Sequence, residues 1–370
     1  MIASITIFLI VYFFIATEKI EKSVAAIIGA CVAIAMGLIS FEHAWQAVDW
    51  NVIFLLMGMM TCVGILAQTG FFEFVAVWLA KKAKGNAALI MILLLGVTML
   101  FSALLDNVTT VVLLAPVTIL IAQVLELDAL PFIILEAVAS NIGGTATLIG
   151  DPPNIIIGSQ GHLSFNAFLI HLTPEILVNA LIFCGTVLFI FRKSLRVPDS
   201  VRMRVIHSYP ALAIRDRKNM IRALIIFALI FAGFFLHHTL HLEPGVIALG
   251  GMALMLLICH AESEEMLKAV EWDALLFFIG LFMIIGAMEH NHVIEFAAGK
   301  LTAFCGDRQL FACLVILWGS AIFSAILDNI PFVMAMMPLV MKMVQEQGAD
   351  IHSPHPYYWA LALGACLGGN

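Results

Sequence analysis

An aspartate followed by an asparagine occurs twice within apolar sequence, in "SALLDN" at 102–107 and in "SAILDN" at 324–329. A carboxylate inside a membrane span is costly unless it faces protein, water or an ion, so each Asp marks an ion or substrate path by default. Asp106 and Asp328 supply the charge, and Asn107 and Asn329 add neutral donors and acceptors. Ser102 and Ser324 place a hydroxyl at the start of each motif, and Pro116 sits where a helix would restart or kink. The spacing predicts a hairpin or broken helix whose tip carries Asp106 and Asn107, with Asp328 and Asn329 in the equivalent place.

A second constellation is "EAVASNIGGTATLIGDPPN", residues 136–154. The paired Gly143 and Gly144 weaken a helix, and each proline pushes its preceding residue out of helical geometry. This segment is therefore expected to break, exposing backbone groups beside Ser140, Asn141 and Thr145, with Asp151 and Asn154 beyond the gap. Glu136 lies one helical turn before Ser140 and can share its face. The bland reading of "DPPN" is a turn at the membrane surface. Burial disfavours a charged carboxylate and a bound cation favours it, so one such group can exchange a proton for Na+ by direct competition. Oxygen ligands of this kind suit a hard cation.

The elements that position these residues follow from composition. Of 370 residues, 62% are hydrophobic and 12% charged, with several runs near the roughly 20 residues that cross a bilayer. The chain reads as an all-α polytopic membrane protein. Its first apolar run has neither a basic leader nor a small-residue cleavage pattern, so a transmembrane helix is expected at 1–17. Nine of the 18 Lys and Arg fall between Arg192 and Arg222, which makes that stretch cytoplasmic by the positive-inside rule.

The basic stretch also divides two halves that match at a fixed offset. Asp106 and Asp328, Pro116 and Pro338, Gly58 and Gly280, and Gly64 and Gly286 each stand 222 positions apart. Past a polar loop the offset becomes 225, and "SNIGGT" at 140–145 aligns with "ACLGGN" at 365–370, where Gly368 and Gly369 take the place of Gly143 and Gly144. The expected organisation is the helix at 1–17, a first repeat at 18–195, a basic linker at 196–222 and a second repeat at 223–370. The repeats are expected to be inverted, with re-entrant hairpins and broken helices. The second is expected to be truncated, lacking about 50 residues that would supply a half-helix and a last span.

Other chemistry is poorly supported. The seven cysteines show no CxxC pair and read as small hydrophobes, and His237, His238 and His241 read as solvated loop residues rather than metal ligands. No P-loop appears. An intramembrane aspartyl protease would pair Tyr-Asp with Gly-x-Gly-Asp, whereas Asp106 follows Leu105 and Asp151 follows "LIG". Nothing points to nucleic acid or to a cofactor, beyond Na+ as the transported or coupling ion.

With both "LDN" motifs and "SNIGGTATLIGDPPN" in view, residues 20 to 370 resemble the ion transporter superfamily. The nearest branch holds ArsB-type arsenite permeases, NhaD-type sodium/proton antiporters and the pink-eyed-dilution (P) protein, with a citrate-transporter-like domain. The resemblance implies inverted repeats, a homodimer and an elevator-like movement in a prokaryotic cytoplasmic membrane. It carries the family's Asp-Asn onto Asp106 and Asn107 and onto Asp328 and Asn329, its broken-helix asparagine onto Asn141, and its acidic position onto Asp151. "DPPN" is closer to the P protein than to the NhaD pattern, and "CLGGN" lacks the Ser-Asn pair. The implied activity is secondary active cation/H+ antiport, with arsenite or another small inorganic anion as the alternative.

Overall fold

A computed structural model of the chain describes residues 1–192, 195, 197–260, 268–306, 308–326 and 328–369. Lys193 and Arg196 of the basic stretch, Leu327 of the second motif and Asn370 lie outside the described residues. All regular structure among the described residues is helical, since helices satisfy their own backbone in an apolar medium. The first half contains α1 (Ile2–Thr17), α2 (Lys22–Ala35), α3 (Phe41–Ala47), α4 (Trp50–Gln68), α5 (Phe71–Lys82), α6 (Ala87–Leu104), α7 (Asn107–Val124), α8 (Leu130–Gly144), α9 (Pro152–Gln160), α10 (Phe165–His171) and α11 (Thr173–Phe191). After α12 (Asp199–Ile206) in the linker come α13 (Arg217–Leu240), α14 (Pro244–Cys259), α15 (Trp272–His290), α16 (Val293–Cys305), α17 (Gln309–Ile326), α18 (Asn329–Glu346) and α19 (Pro356–Gly368). Seven of them, α4, α6, α7, α11, α13, α15 and α17, are long and apolar enough to cross a membrane.

The apolar run over 87–125 is two helices, and the break falls at Leu105 and Asp106, where the tip is expected; Pro116 marks no restart and lies inside α7. The cause is local. Leu105 and Asp106 are extended, and the Asp106 side chain accepts from the Thr109 amide as an N-cap. Pro338 likewise lies inside α18, behind the Asp328 cap. The offset of 222 holds at the level of helix ends: α4 and α15, α6 and α17, and α7 and α18 have matching bounds.

The centre of the molecule is a reciprocal exchange between the halves. α4 packs on α14, and α15 packs on α2. A Cβ on Gly58 of α4 would stand 2.7 Å from the Ala248 backbone, and one on Gly280 of α15 would stand 2.7 Å from the Ala26 backbone. Gly64 meets Ala269 as Gly286 meets Ala47. These pairs interchange under the offset, as contacts across a two-fold must. At the periphery α11 is only 11% buried, with Leu181 and Phe189 on its outer face, as a lipid-facing helix should be.

Linker residues hold one end of the bundle. The Arg215 amide donates to the Thr69 carbonyl after α4 (2.9 Å), Arg204 pairs with Glu126 after α7 (2.8 Å), and Asn219 Nδ2 donates to the Cys259 carbonyl at the end of α14 (3.1 Å). At the opposite end the Gly245 amide donates to Asn51 Oδ1 (2.7 Å), and Asn51 Nδ2 donates to Ser159 Oγ (2.9 Å).

Overpacking a close helix crossing costs about 1–3 kcal/mol. Gly58→Ala and Gly280→Ala should therefore lower the Tm of the detergent-solubilised protein by similar amounts. Gly96→Ala, where an added Cβ meets nothing within 4 Å, should leave it unchanged. Intrinsic-fluorescence melting curves check all three.

Candidate functional site

Two helix tips and one broken helix build the site. At the first tip Asp106 Oδ1 accepts from the Thr109 amide (2.7 Å), and the Thr110 hydroxyl donates to the Asp106 carbonyl (2.8 Å). Asn107 Nδ2 donates to Asn141 Oδ1 (2.8 Å), which ties this tip to α8. At the second tip Asp328 Oδ1 accepts from the Ile330 amide (3.2 Å). Pro331 stands where Thr109 does and has no N–H to give, so the cap moves back one residue. Asp328 Oδ2 forms an ion pair with Lys22 Nζ at 2.7 Å.

The serines serve the backbone. Ser102 Oγ donates to the Ser140 carbonyl (2.5 Å) and Ser324 Oγ to the Ala365 carbonyl (2.6 Å), two bonds that are equivalent under the repeat. A Cβ on Gly143 would lie 2.2 Å from the Met99 carbonyl oxygen, and one on Gly368 would lie 2.5 Å from that of Ala321, so glycine is what lets each pair of helices close.

The expected break is present between α8 and α9, over residues 145–151. It is not a surface turn, because Asp151 and Asn154 are fully buried. Asn154 Nδ2 donates to the carbonyls of Thr145 (3.1 Å) and Thr147 (2.8 Å), while Thr147 Oγ1 donates to the Ala103 carbonyl (2.5 Å). No N–H or hydroxyl among the described residues reaches the oxygens of Asp151, and the polar group against them is the buried Cys366 thiol, a weak donor.

Asn107, Asn141, Ser324, Asp328, Asn329 and Gly369 converge on one polar cavity of about 350 Å³, with Glu18 and Lys22 from the α1–α2 connection completing its wall. Asp106 borders a smaller apolar space beside Leu55, Met59 and Ile155. Ser102, Ser140, Gly143, Gly144, Thr145, Asp151, Asn154 and Gly368 surround or form the breaks without lining the polar cavity. Glu136 is also absent from it: it turns to α7, where the Thr118 hydroxyl donates to its Oε1 at 2.6 Å, so sharing a helix face with Ser140 does not bring it to the site.

A second cavity, about 440 Å³, opens at the end opposite the linker among Asn51, Ser159, His162, His237, His238, His241 and His352. It shares Leu55 and Ile155 with the space beside Asp106. Among the described residues no group of three His, Cys, Asp or Glu side chains is placed to hold a metal ion. Lys22 and Glu18 escaped the sequence reading because "TEKIEK" looks like ordinary interfacial charge; the available signal was that Lys22 falls opposite Pro244 in the repeat.

Helix breaks that carry carboxylates and meet at a polar cavity inside an apolar bundle define a polytopic membrane transporter. The family model described as citrate transporter (CitMHS) matches residues 12–364, and the chain belongs to that family. It is 40% identical along its whole length to a 46 kDa membrane protein of Mycobacterium leprae and 42% identical to an uncharacterized transporter of Mycobacterium tuberculosis, spanning 87% of each. It is 31% identical, over 97% of its length, to the P protein of Mus musculus and spans 53% of that protein. The chain is a multi-pass transporter of the prokaryotic cell membrane, and its family is one of transporters rather than enzymes.

Neighbours in one motif should respond oppositely to mutation. Asn154→Ala strands two carbonyls and should destabilise by about 1–3 kcal/mol. Asp151→Asn removes a buried carboxylate that has only the weak Cys366 thiol as a donor, keeps an oxygen for that thiol, and should leave the Tm unchanged or raise it. Thermal unfolding in detergent at one pH compares the two directly.

Proposed function

We propose that this transporter exchanges Na+ for H+ at intramembrane carboxylates, with Asp328 and Asp106 carrying the coupling. The convergence of Asp328, Asn107, Asn141 and Asn329 on one cavity carries this reading, because a carboxylate and asparagine side chains on one polar wall offer the oxygen ligands a hard cation takes. Asp151 supports it: a fully buried carboxylate whose neighbouring donor is only the Cys366 thiol is retained at a cost unless a proton or ion satisfies it.

Access from two sides fits the same reading. Glu18 and Lys22 mark the mouth of the cavity at Asp328, and the histidine-lined cavity approaches Asp106 from the end opposite the linker. We infer that the repeats are inverted. α4 runs from the Asn51–Gly245 end to the linker end, whereas α15 sets out from the linker end: α14 ends there at Cys259, held by Asn219, and Ala269, just before α15, lies against Gly64 near the end of α4. With the linker cytoplasmic, α4 and its counterpart α15 cross in opposite senses.

The family's description favours a citrate-like anion as the rival. Against it, Lys22 is the one basic residue on the cavity wall among the described residues and is already paired, so a polycarboxylate would face Asp328 and Glu18 as like charges.

The test is transport in liposomes with an internal pH dye. Na+ or Li+ should collapse an imposed pH gradient, and Asp106→Asn and Asp328→Asn should each slow this at least about tenfold, since each removes a charge that the cation replaces in the cycle. Gradient-driven citrate or arsenite flux without any cation effect would overturn antiport. Undiminished exchange in both variants would make the two motifs structural.

A further inference from the structure

The two Asp-Asn tips match in sequence but not in what surrounds the carboxylate. At the first tip Thr109 gives its amide to Asp106 Oδ1 and Thr110 gives its hydroxyl to the Asp106 carbonyl. The equivalent positions at the second tip are Pro331 and Phe332, which have neither group to offer. What the second tip has instead is Lys22 Nζ on Asp328 Oδ2 at 2.7 Å, while Asp106 is in no ion pair among the described residues. Position 244, the equivalent of Lys22, is Pro244. The ammonium therefore breaks the internal symmetry at a carboxylate that faces the polar cavity.

Lys22 is poorly placed for a purely structural role. It is the first residue of α2, on the wall of the cavity, with 37% of its side chain exposed, and its partner Asp328 is 22% exposed. Such a pair is open to water and to ions entering the cavity. A lysine head group is a compact cation on a flexible stem with three donors, so it can leave and return without moving the helix that carries it.

Resting on the antiport reading above, we propose that Lys22 is a tethered competitor for the transported cation at Asp328. The ammonium neutralises Asp328 when the site is empty of Na+; an entering Na+ displaces it; and its return promotes release of Na+ into the cavity. Lys22 stays protonated throughout, and the proton exchanged for Na+ is the one Asp328 itself takes up: in the proton-carrying state Asp328 is neutral and the ammonium rests on Glu18. Glu18, on the same wall, gives the displaced ammonium a second carboxylate within the cavity.

The apparent affinity of a site that is free only part of the time is reduced by that fraction. If Lys22 holds Asp328 about nine-tenths of the time, removing its charge should tighten Na+ binding about tenfold. Equilibrium dialysis of the purified full chain with radioactive Na+ measures this for wild type, Lys22→Gln, Lys22→Arg and Lys22→Gln/Asp328→Asn. The expected result is about tenfold tighter binding in Lys22→Gln with slower Na+/H+ exchange in liposomes, affinity near wild type in Lys22→Arg, and loss of the gain in the double variant. Lys22→Arg keeps the charge and so separates competition from any loss of fold. Unchanged or weaker binding in Lys22→Gln, or a gain that survives Asp328→Asn, overturns the competitor role and leaves antiport standing. Absence of Na+ binding to both wild type and Lys22→Gln overturns antiport itself and the role of Lys22 with it.

Discussion

A backbone that breaks inside an apolar bundle has no water to complete its hydrogen bonds, and every freed amide and carbonyl must find a partner within the protein. This chain breaks at both tips and again between α8 and α9. Much of its buried polar chemistry serves those breaks: Asp106 and Asp328 cap helices, Ser102 and Ser324 donate to carbonyls of the neighbouring helix, and Asn154 bridges Thr145 and Thr147. Asp151 and the second oxygen of Asp328 stand out after that accounting because neither serves a helix break: the first faces only the Cys366 thiol and the second meets Lys22.

The scaffold that holds the breaks in place is the exchange of α2 and α14 between the halves. Gly58 and Gly280 let backbones approach at the two crossings, and each half is packed against the other's helix rather than its own. Neither repeat buries its central helix alone. Against so regular a frame, departures from symmetry carry information. Thr109 and Thr110 become Pro331 and Phe332, Glu136 with its Thr118 partner becomes Leu361 with Val340, and Lys22 has only Pro244 opposite. The frame is duplicated while the chemistry around the tips has diverged.

The sequence made the duplication, the breaks and the convergence of Asn107, Asn141, Asp328 and Asn329 legible, because each rests on a local signal: a fixed offset, paired glycines, an Asp within an apolar run. It was less able to say which oxygen meets which donor. The tip at Asp106 was legible, but Pro116 suggested a further restart or kink that is absent, since α7 tolerates the proline and its start is set by the Asp106 N-cap and an extended Leu105. Glu136 shares a face with Ser140 by periodicity, yet α7 lies alongside and offers Thr118. Lys22 was invisible for the opposite reason: its partner is 306 residues away, and only the tertiary fold brings it there.

The choice of aspartate at both tips follows from the same accounting. Aspartate is among the best N-cap residues because its short side chain reaches the amides of the first turn. At Asp328 one oxygen performs that task while the other meets Lys22. The division lets the cation at the second oxygen change without releasing the helix end, so on the antiport reading exchange of a cation and integrity of the break are separate tasks for one carboxylate. Asparagine at the next position extends the arrangement: Asn107 satisfies the Val108 amide with its oxygen and spends its nitrogen on Asn141 of the broken helix. The first tip thus brings its asparagine and the second its charge to the polar cavity while both backbones stay closed, a condition that an ion site within a membrane has to meet.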